Sequence, residues 1–153
     1  MQKGRAILDH EHYLNIIKSR FNSSSFVNSL CAEMFYEENI EFLSKLKKYS
    51  FVSYSQKIGV QTIGMFTSNC IMYALRNYKG LPRGFQNGVL CFNVLASEHI
   101  AEKAVSFANE RPQKHFAAFE IPVIMDLKNH KLCYYKDTPI WGAVYYKNIR
   151  KFI

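Results

Sequence analysis

The sequence predicts an α+β fold, in which N-terminal helices and a central helix pack on one side of a C-terminal antiparallel sheet. Three observations predict it: apolar residues at helical spacing in the first third of the chain, a second helical pattern behind a loop near residue 70, and four apolar, β-prone segments after residue 115. The chain of 153 residues, 48% of them hydrophobic, is expected to form a single domain with one core.

Helical spacing dominates the first third of the chain. Asp9 is a suitable N-cap for a first helix whose apolar positions include Ile17. The four-residue spacing of apolar side chains from Phe26 onward then predicts a second helical region, which ends at the basic sequence KLKK at 45–48. Residues 1–50 are therefore expected to form a helical N-terminal part.

The stretch FTSNCIMYALRNYKG, residues 66–80, predicts a short helix that begins at Cys70. Ser68 or Asn69 is a suitable N-cap, and Gly80 lies where a C-terminal glycine is expected. Apolar side chains follow the cysteine at helical spacing: Ile71, Ala74, Leu75 and Tyr78. The pattern thus places Cys70 in the first turn of a helix.

The rest of the chain predicts mainly strands. VLCFNVL predicts one strand, and a small helix capped by Ser97 follows it. HFAAFEI, VIMDL, KLCYY and AVYYKNI predict four more, separated by Pro122 and by the turn sequences KNH and DTPIWG.

Composition limits the possible classes of function. The formal charge of +8 favours a polyanion or an acidic protein as partner, although the basic residues are scattered and also suit an ordinary solvated surface. No apolar run is long enough to span a membrane, and the first residues lack the pattern of a signal peptide. The four cysteines have no zinc-ligand spacing, so neither a metal nor another cofactor is expected.

Cys70 is the candidate nucleophile. The unsatisfied N–H groups and the dipole of a first helical turn stabilise a thiolate, and a histidine oriented by an acid can activate it further. Among the five histidines, His115 alone opens a predicted strand. Asp126 is the first acid that can orient it, and Asp137 is the alternative.

Pro122 decides whether His115 and Asp126 can meet. Eleven steps of one continuous strand would separate them by about 36 Å. A proline is disfavoured inside a central strand, so we expect the chain to reverse next to Pro122 and to pair the two residues. A second hairpin, at KNHK, would pair Asp126 with Cys133, and both turns can coexist.

These residues resemble the papain-fold toxin domains of bacterial polymorphic toxin systems, over roughly residues 60–145. The resemblance rests on Cys70 with Ala74 one turn later, then His115, Asp126 and a tryptophan at 141. It implies a papain-like catalytic core with a Cys-His-Asp triad. The residues assigned to support are Asn69 or Gln61 as the oxyanion donor, and Trp141. Trp141 is assigned first to the core, and the alternative is that it shields the His–Asp hydrogen bond from water.

The function implied by the resemblance is acyl transfer. The thiolate would attack a peptide bond or a glutamine or asparagine side-chain amide of a protein substrate, as a peptidase, deamidase or transglutaminase-type enzyme. The domain would belong to a secreted effector or toxin that acts in the cytoplasm of a target cell, and an acidic immunity protein would suit its charge. Without that resemblance, the cytoplasm is the expected compartment.

Two alternatives stay open. One is a basic RNA-binding or RNA-cleaving toxin domain without a cysteine nucleophile, in which His115 and nearby cations act and the aromatic sequence VYYKNIRKF stacks on bases. The other is a non-enzymatic interaction module, in which Cys70, His115 and Asp126 are structural. Cys31, Cys91 and Cys133 are assigned to the core in every case.

Overall fold

The computed structural model describes residues 9–41, 44–78, 87–110, 114–115, 118–136 and 149–152. These ranges contain three α-helices, namely α1 (His10–Lys18), α2 (Val60–Arg76) and α3 (Glu102–Asn109). Two short 3-10 helices span Asn28–Leu30 and Arg150–Phe152. The strands are β1 (Ser25–Val27), β2 (Ala32–Glu41), β3 (Ser44–Tyr54), β4 (Asn87–Ser97), β5 (Lys114–His115), β6 (Ala118–Asp126) and β7 (Lys131–Cys133).

All seven strands belong to one mixed sheet in the order β1-β2-β3-β4-β6-β5, with β7 also paired to β6. β3, β4 and β6 are parallel neighbours, whereas the other pairs are antiparallel. The α+β class is therefore confirmed, but the prediction of an antiparallel sheet is wrong. Parallel neighbours need crossover connections, and α2 and α3 provide them.

Helices cover both faces of the sheet, not one as expected. Side chains of α2 and α3 pack on one face, together with Cys91 and Leu95 of β4. Side chains of α1 and of the C-terminal 3-10 helix pack on the opposite face, together with Phe92 and Val94. Every described side chain of β4 is buried as a result, which is typical of a parallel strand between two helical layers.

The prediction of a helix over residues 26–48 is wrong, because this region forms β1, β2 and the first part of β3. β2 and β3 pair as a long antiparallel hairpin that sets Glu37 opposite Lys48 and Glu38 opposite Lys47. Opposite charges in such cross-strand pairs stabilise a hairpin. The four-residue spacing that suggested a helix is thus coincidental. Within the described residues 9–41 and 44–50, only α1 and the 3-10 helix Asn28–Leu30 are helical.

The first helix is confirmed. The His12 N–H donates to Oδ1 of Asp9 at 2.7 Å, so Asp9 is the N-cap. Tyr13 and Ile17 are buried against the sheet. The Tyr13 hydroxyl donates to the main-chain oxygen of Phe152 at 2.8 Å, which ties α1 to the C-terminal 3-10 helix.

The chain does not reverse at Pro122. β6 is one continuous strand, and Pro122 is buried within it opposite Asn93. The Leu127 N–H donates to the Ser97 oxygen of β4, and N–H directions alternate along a strand. The nitrogen of Pro122 therefore faces away from β4, so its missing N–H costs no hydrogen bond of the parallel pair. The predicted reversal is wrong for this reason.

Two other predicted elements need small corrections. α3 begins after Ala101 as N-cap instead of Ser97, although Ala104 and Ala108 are buried as expected. The KNHK hairpin is present between β6 and β7, but Asp126 pairs with Lys131 and not with Cys133. Gly80, Trp141 and almost all of AVYYKNI lie outside the described residues.

Replacing Tyr13 by Phe tests the link between α1 and the C-terminal 3-10 helix. The change keeps the ring but leaves the buried Phe152 oxygen without its donor, which costs about 1–2 kcal/mol. We expect the thermal midpoint to fall by roughly 2–8 °C, measured by circular dichroism. Tyr54→Phe, at an exposed ring, is the control and should change nothing; equal midpoints for both variants would contradict the link.

Candidate functional site

Cys70 does not lie at a helix start. It is the eleventh residue of α2, which begins at Val60 with Gly59 as N-cap, so it stands about 15 Å from the positive end of the helix axis. Its side chain is 0% exposed among Ile71, Ala74 and Cys91. Burial raises the pKa of the Cys70 thiol, which is the opposite of what an activated nucleophile requires.

His115 is the second residue of β5 and the register partner of Ala118 on β6. Ala118 belongs to the same apolar cluster as Cys70, so the His115 main chain lies at the end of the sheet that α2 covers near Cys70. The His115 side chain lies outside the described residues. Its proposed contact with the Cys70 thiol therefore stays a prediction.

Asp126 lies at the opposite end of β6 from Ala118. Eight strand steps separate these two residues, or about 26 Å, so Asp126 cannot orient His115. Its carboxylate instead holds the turn to β7. Oδ1 accepts the N–H groups of Lys128 and Asn129 at 3.0 Å each, and Oδ2 accepts from the Asn129 side chain at 2.8 Å.

The assigned supporting residues do not complete an oxyanion hole. Asn69 and Gln61 are both exposed on α2, whereas the adjacent Cys70 is buried on its inner face. Gln61 is nine helical residues, or about 14 Å, before Cys70. Trp141 and Asp137 lie outside the described residues. The structure thus separates Asp126 from His115 and encloses the thiol, so it does not assemble the predicted triad.

Polar side chains do converge elsewhere on the α2 face of the sheet. A group that we call the tyrosine cluster consists of Tyr36, Tyr49, Tyr73, Tyr78, Glu38 and Lys47. Tyr36 and Tyr49 face each other across β2 and β3, with ring centroids 5.0 Å apart. Lys47 Nζ lies 4.7 Å from the centroid of the Tyr78 ring, just beyond the end of α2. The cluster joins the β2–β3 hairpin to the C-terminal end of α2.

Burial differs sharply within the tyrosine cluster. Tyr49 is 4% exposed, whereas Tyr36 is 39% exposed and its hydroxyl donates to Glu38 at 3.2 Å. Burial, and then the neighbouring Glu38 carboxylate, raise the pKa of Tyr36 to about 12. Burial also raises the pKa of Tyr49, and the neighbouring Cys91 thiol raises it further. These phenols therefore stay protonated at neutral pH and act as hydrogen-bonding, flat apolar surfaces.

The tyrosine cluster is absent from the sequence-based prediction, because that prediction places residues 26–48 in a helix. The signal that could have found it is period-two alternation. Tyr36 and Glu38 alternate on β2, and Lys47, Tyr49 and Phe51 alternate on β3. Two alternating segments joined by a short connection predict a hairpin with these side chains on one face.

Other kinds of site find little support in the described ranges. Among the residues that the structure describes, no group of three or more His, Cys, Asp or Glu side chains could hold a metal ion. In the same part of the chain, no helix combines the length and apolar character that crossing a membrane requires.

No protein-family model matches this sequence, and neither a curated protein nor a solved structure matches it.

Thiol reactivity tests the placement of the cysteines. Cys31 is exposed, so its assignment to the core is wrong. Cys70, Cys91 and Cys133 are buried, and burial raises the pKa of each of these thiols. We expect one thiol of the native protein to react rapidly with Ellman's reagent between pH 7 and about 8.5, and four after unfolding. The fast reaction should disappear in Cys31→Ser and persist in Cys70→Ser. A fast thiol that is lost in Cys70→Ser would restore the nucleophile hypothesis.

Asp126 variants separate a structural role from a catalytic one. Asp126→Ala removes three hydrogen bonds of the β6–β7 turn, so we expect a loss of about 1–3 kcal/mol and a thermal midpoint lower by roughly 2–10 °C. Asp126→Asn keeps an acceptor for the two N–H groups and should lose less. Midpoints equal to that of the unmodified protein for both variants would show that the turn does not depend on this side chain.

Proposed function

We propose that the protein binds single-stranded RNA at the tyrosine cluster. The observation that supports this best is the half-exposed Tyr36 ring, which rests on Tyr49 beside Lys47 and Tyr78. Aromatic side chains next to cations are what single-stranded nucleic acid needs, because bases stack on the rings and phosphates interact with the positive charges.

The Tyr36 ring would act as the stacking platform. Tyr49 packs against the Tyr36 ring, and the hydrogen bond from the Tyr36 hydroxyl to Glu38 limits the rotation of the ring. A platform that is already held in place loses little conformational entropy when a base stacks on it. Lys47 lies on the same face of the hairpin, where its ammonium group can interact with a phosphate.

The formal net charge of +8 also supports RNA binding, because a positive field raises the affinity for any polyanion.

The acyl-transfer activity expected from the sequence is less well supported. It requires an accessible thiolate, whereas Cys70 is enclosed by apolar side chains and its pKa is raised. RNA binding needs no ionised thiol and no movement of α2. RNA binding is therefore compatible with a purely structural role for the cysteines.

Matched tyrosine variants test the proposal. Tyr36 and Tyr54 are 39% and 40% exposed, but Tyr54 is at the other end of β3 and contacts His10 instead of the cluster. We expect Tyr36→Ala to weaken binding of a fluorescein-labelled oligo(U) of about 12 nucleotides by roughly 5- to 150-fold, the loss of one stacked base. Tyr36→Phe keeps the ring and should bind nearly normally, and Tyr54→Ala should have no effect. Fluorescence anisotropy measures all four proteins.

Two results would contradict the proposal. One is the lack of binding by the unmodified protein even at about 50 mM salt, where phosphate contacts are strongest. The other is an equal loss for Tyr36→Ala and Tyr54→Ala, which would indicate a general effect of charge or folding. Thermal melting of each variant establishes that it is folded, and a loss of affinity between about 50 and 200 mM salt should accompany binding through phosphate contacts.

A further inference from the structure

Two buried polar atoms between α2 and the sheet have no hydrogen-bond partner. They are the Thr67 hydroxyl oxygen of α2 and the side-chain nitrogen of Asn93, at the middle of β4. Thr67 is 2% exposed and Asn93 is 0% exposed. A buried polar atom without a partner costs about 1–3 kcal/mol, so two at one interface require a physical reason.

The fold places the two atoms on facing surfaces. Cys91 and Cys70 belong to one apolar cluster, and the Cys91 thiol donates to the Asn93 side-chain oxygen at 2.9 Å. Asn93 therefore points toward α2, as Cys91 does. Thr67 is on the buried stripe of α2, one turn before Cys70.

The direction of α2 relative to β4 determines which residues of the two elements lie opposite each other. α2 connects the parallel strands β3 and β4, so it runs opposite to β4. One turn back along α2 from Cys70 corresponds to about two residues forward along β4 from Cys91. Thr67 is thus opposite Asn93.

We propose that one internal water molecule binds between α2 and β4 and bridges Thr67 and Asn93. The Asn93 NH₂ group donates to the water oxygen, and the water donates to the Thr67 hydroxyl oxygen. Asn93 uses its oxygen for the Cys91 thiol, so its nitrogen is the atom left for this role. Proteins hold about one such water per 27 residues, each with two to four polar partners.

The ligand is water and not a metal ion or an anion. A cation would be repelled by the Asn93 NH₂ group, which is a donor only, and the thiol beside it stays protonated because burial raises the pKa of Cys91. An anion would lose its hydration in exchange for two neutral partners. A water molecule can accept from the amide and donate to the hydroxyl at the same time.

The direction in which Thr67→Val shifts the thermal midpoint tests this site. Valine has the shape of threonine without the hydroxyl, so Thr67→Val removes one partner of the water and should lower the thermal midpoint by about 2–8 °C. If the hydroxyl has no partner at all, the same change removes a buried polar atom and raises the midpoint. In an Asn93→Leu background the water has no donor. Thr67→Val should then leave the thermal midpoint unchanged or raise it.

A crystal structure of the unmodified protein at about 1.5 Å decides the question directly. A density peak about 2.8–3.0 Å from both the Thr67 oxygen and the Asn93 nitrogen is the expected result. Thr67→Ser, which keeps the hydroxyl, should retain the peak. A direct hydrogen bond between the two side chains, or a dry interface, would overturn the proposal, as would a raised midpoint for Thr67→Val.

Discussion

The parallel pairing of β4 with β3 on one side and β6 on the other is the constraint on which the rest of the structure depends. Each parallel pair requires a crossover helix, and α2 and α3 both return on the same face of the sheet. α1 covers the other face, so the described side chains of β4, at 88–97, are all buried between the two layers. Every polar group of β4 must consequently find its partner inside the protein.

This constraint also separates the buried cysteines from the side chains that contact water. The cysteines on α2 and β4 are fully buried, and ionisation of a thiol is expensive in such an environment. Polar and aromatic side chains that keep contact with water are instead on the β2–β3 hairpin, which is antiparallel and only partly covered. A site on this hairpin can bind a ligand through existing surfaces, whereas a site at Cys70 would need α2 to move.

Local signals predicted part of the fold correctly. Asp9 specified the first helix because an N-cap acts on N–H groups two and three residues away, and VLCFNVL specified β4 because its residue types favour strands in any context. The hairpin was missed because the four-residue spacing of apolar side chains from Phe26 onward competes with the period-two alternation on β2 and β3. The start of α2 was also misplaced, because the helix begins ten residues before Cys70 and includes Gly64 despite the weak helix propensity of glycine. Pro122 shows the same limit: whether a proline interrupts a strand depends on which neighbour its nitrogen faces, and only the assembled sheet determines that.

The hydrogen bond between Tyr13 and Phe152 joins positions 139 residues apart, and it has a consequence for synthesis on the ribosome. Translation proceeds at about 5–20 residues per second, so roughly 7 to 28 s elapse between the two positions. During that interval the inner surface of α1 lacks the aromatic side chain that later covers it. The nascent chain therefore exposes apolar surface to chaperones, and to other nascent chains, until the 3-10 helix Arg150–Phe152 has left the exit tunnel.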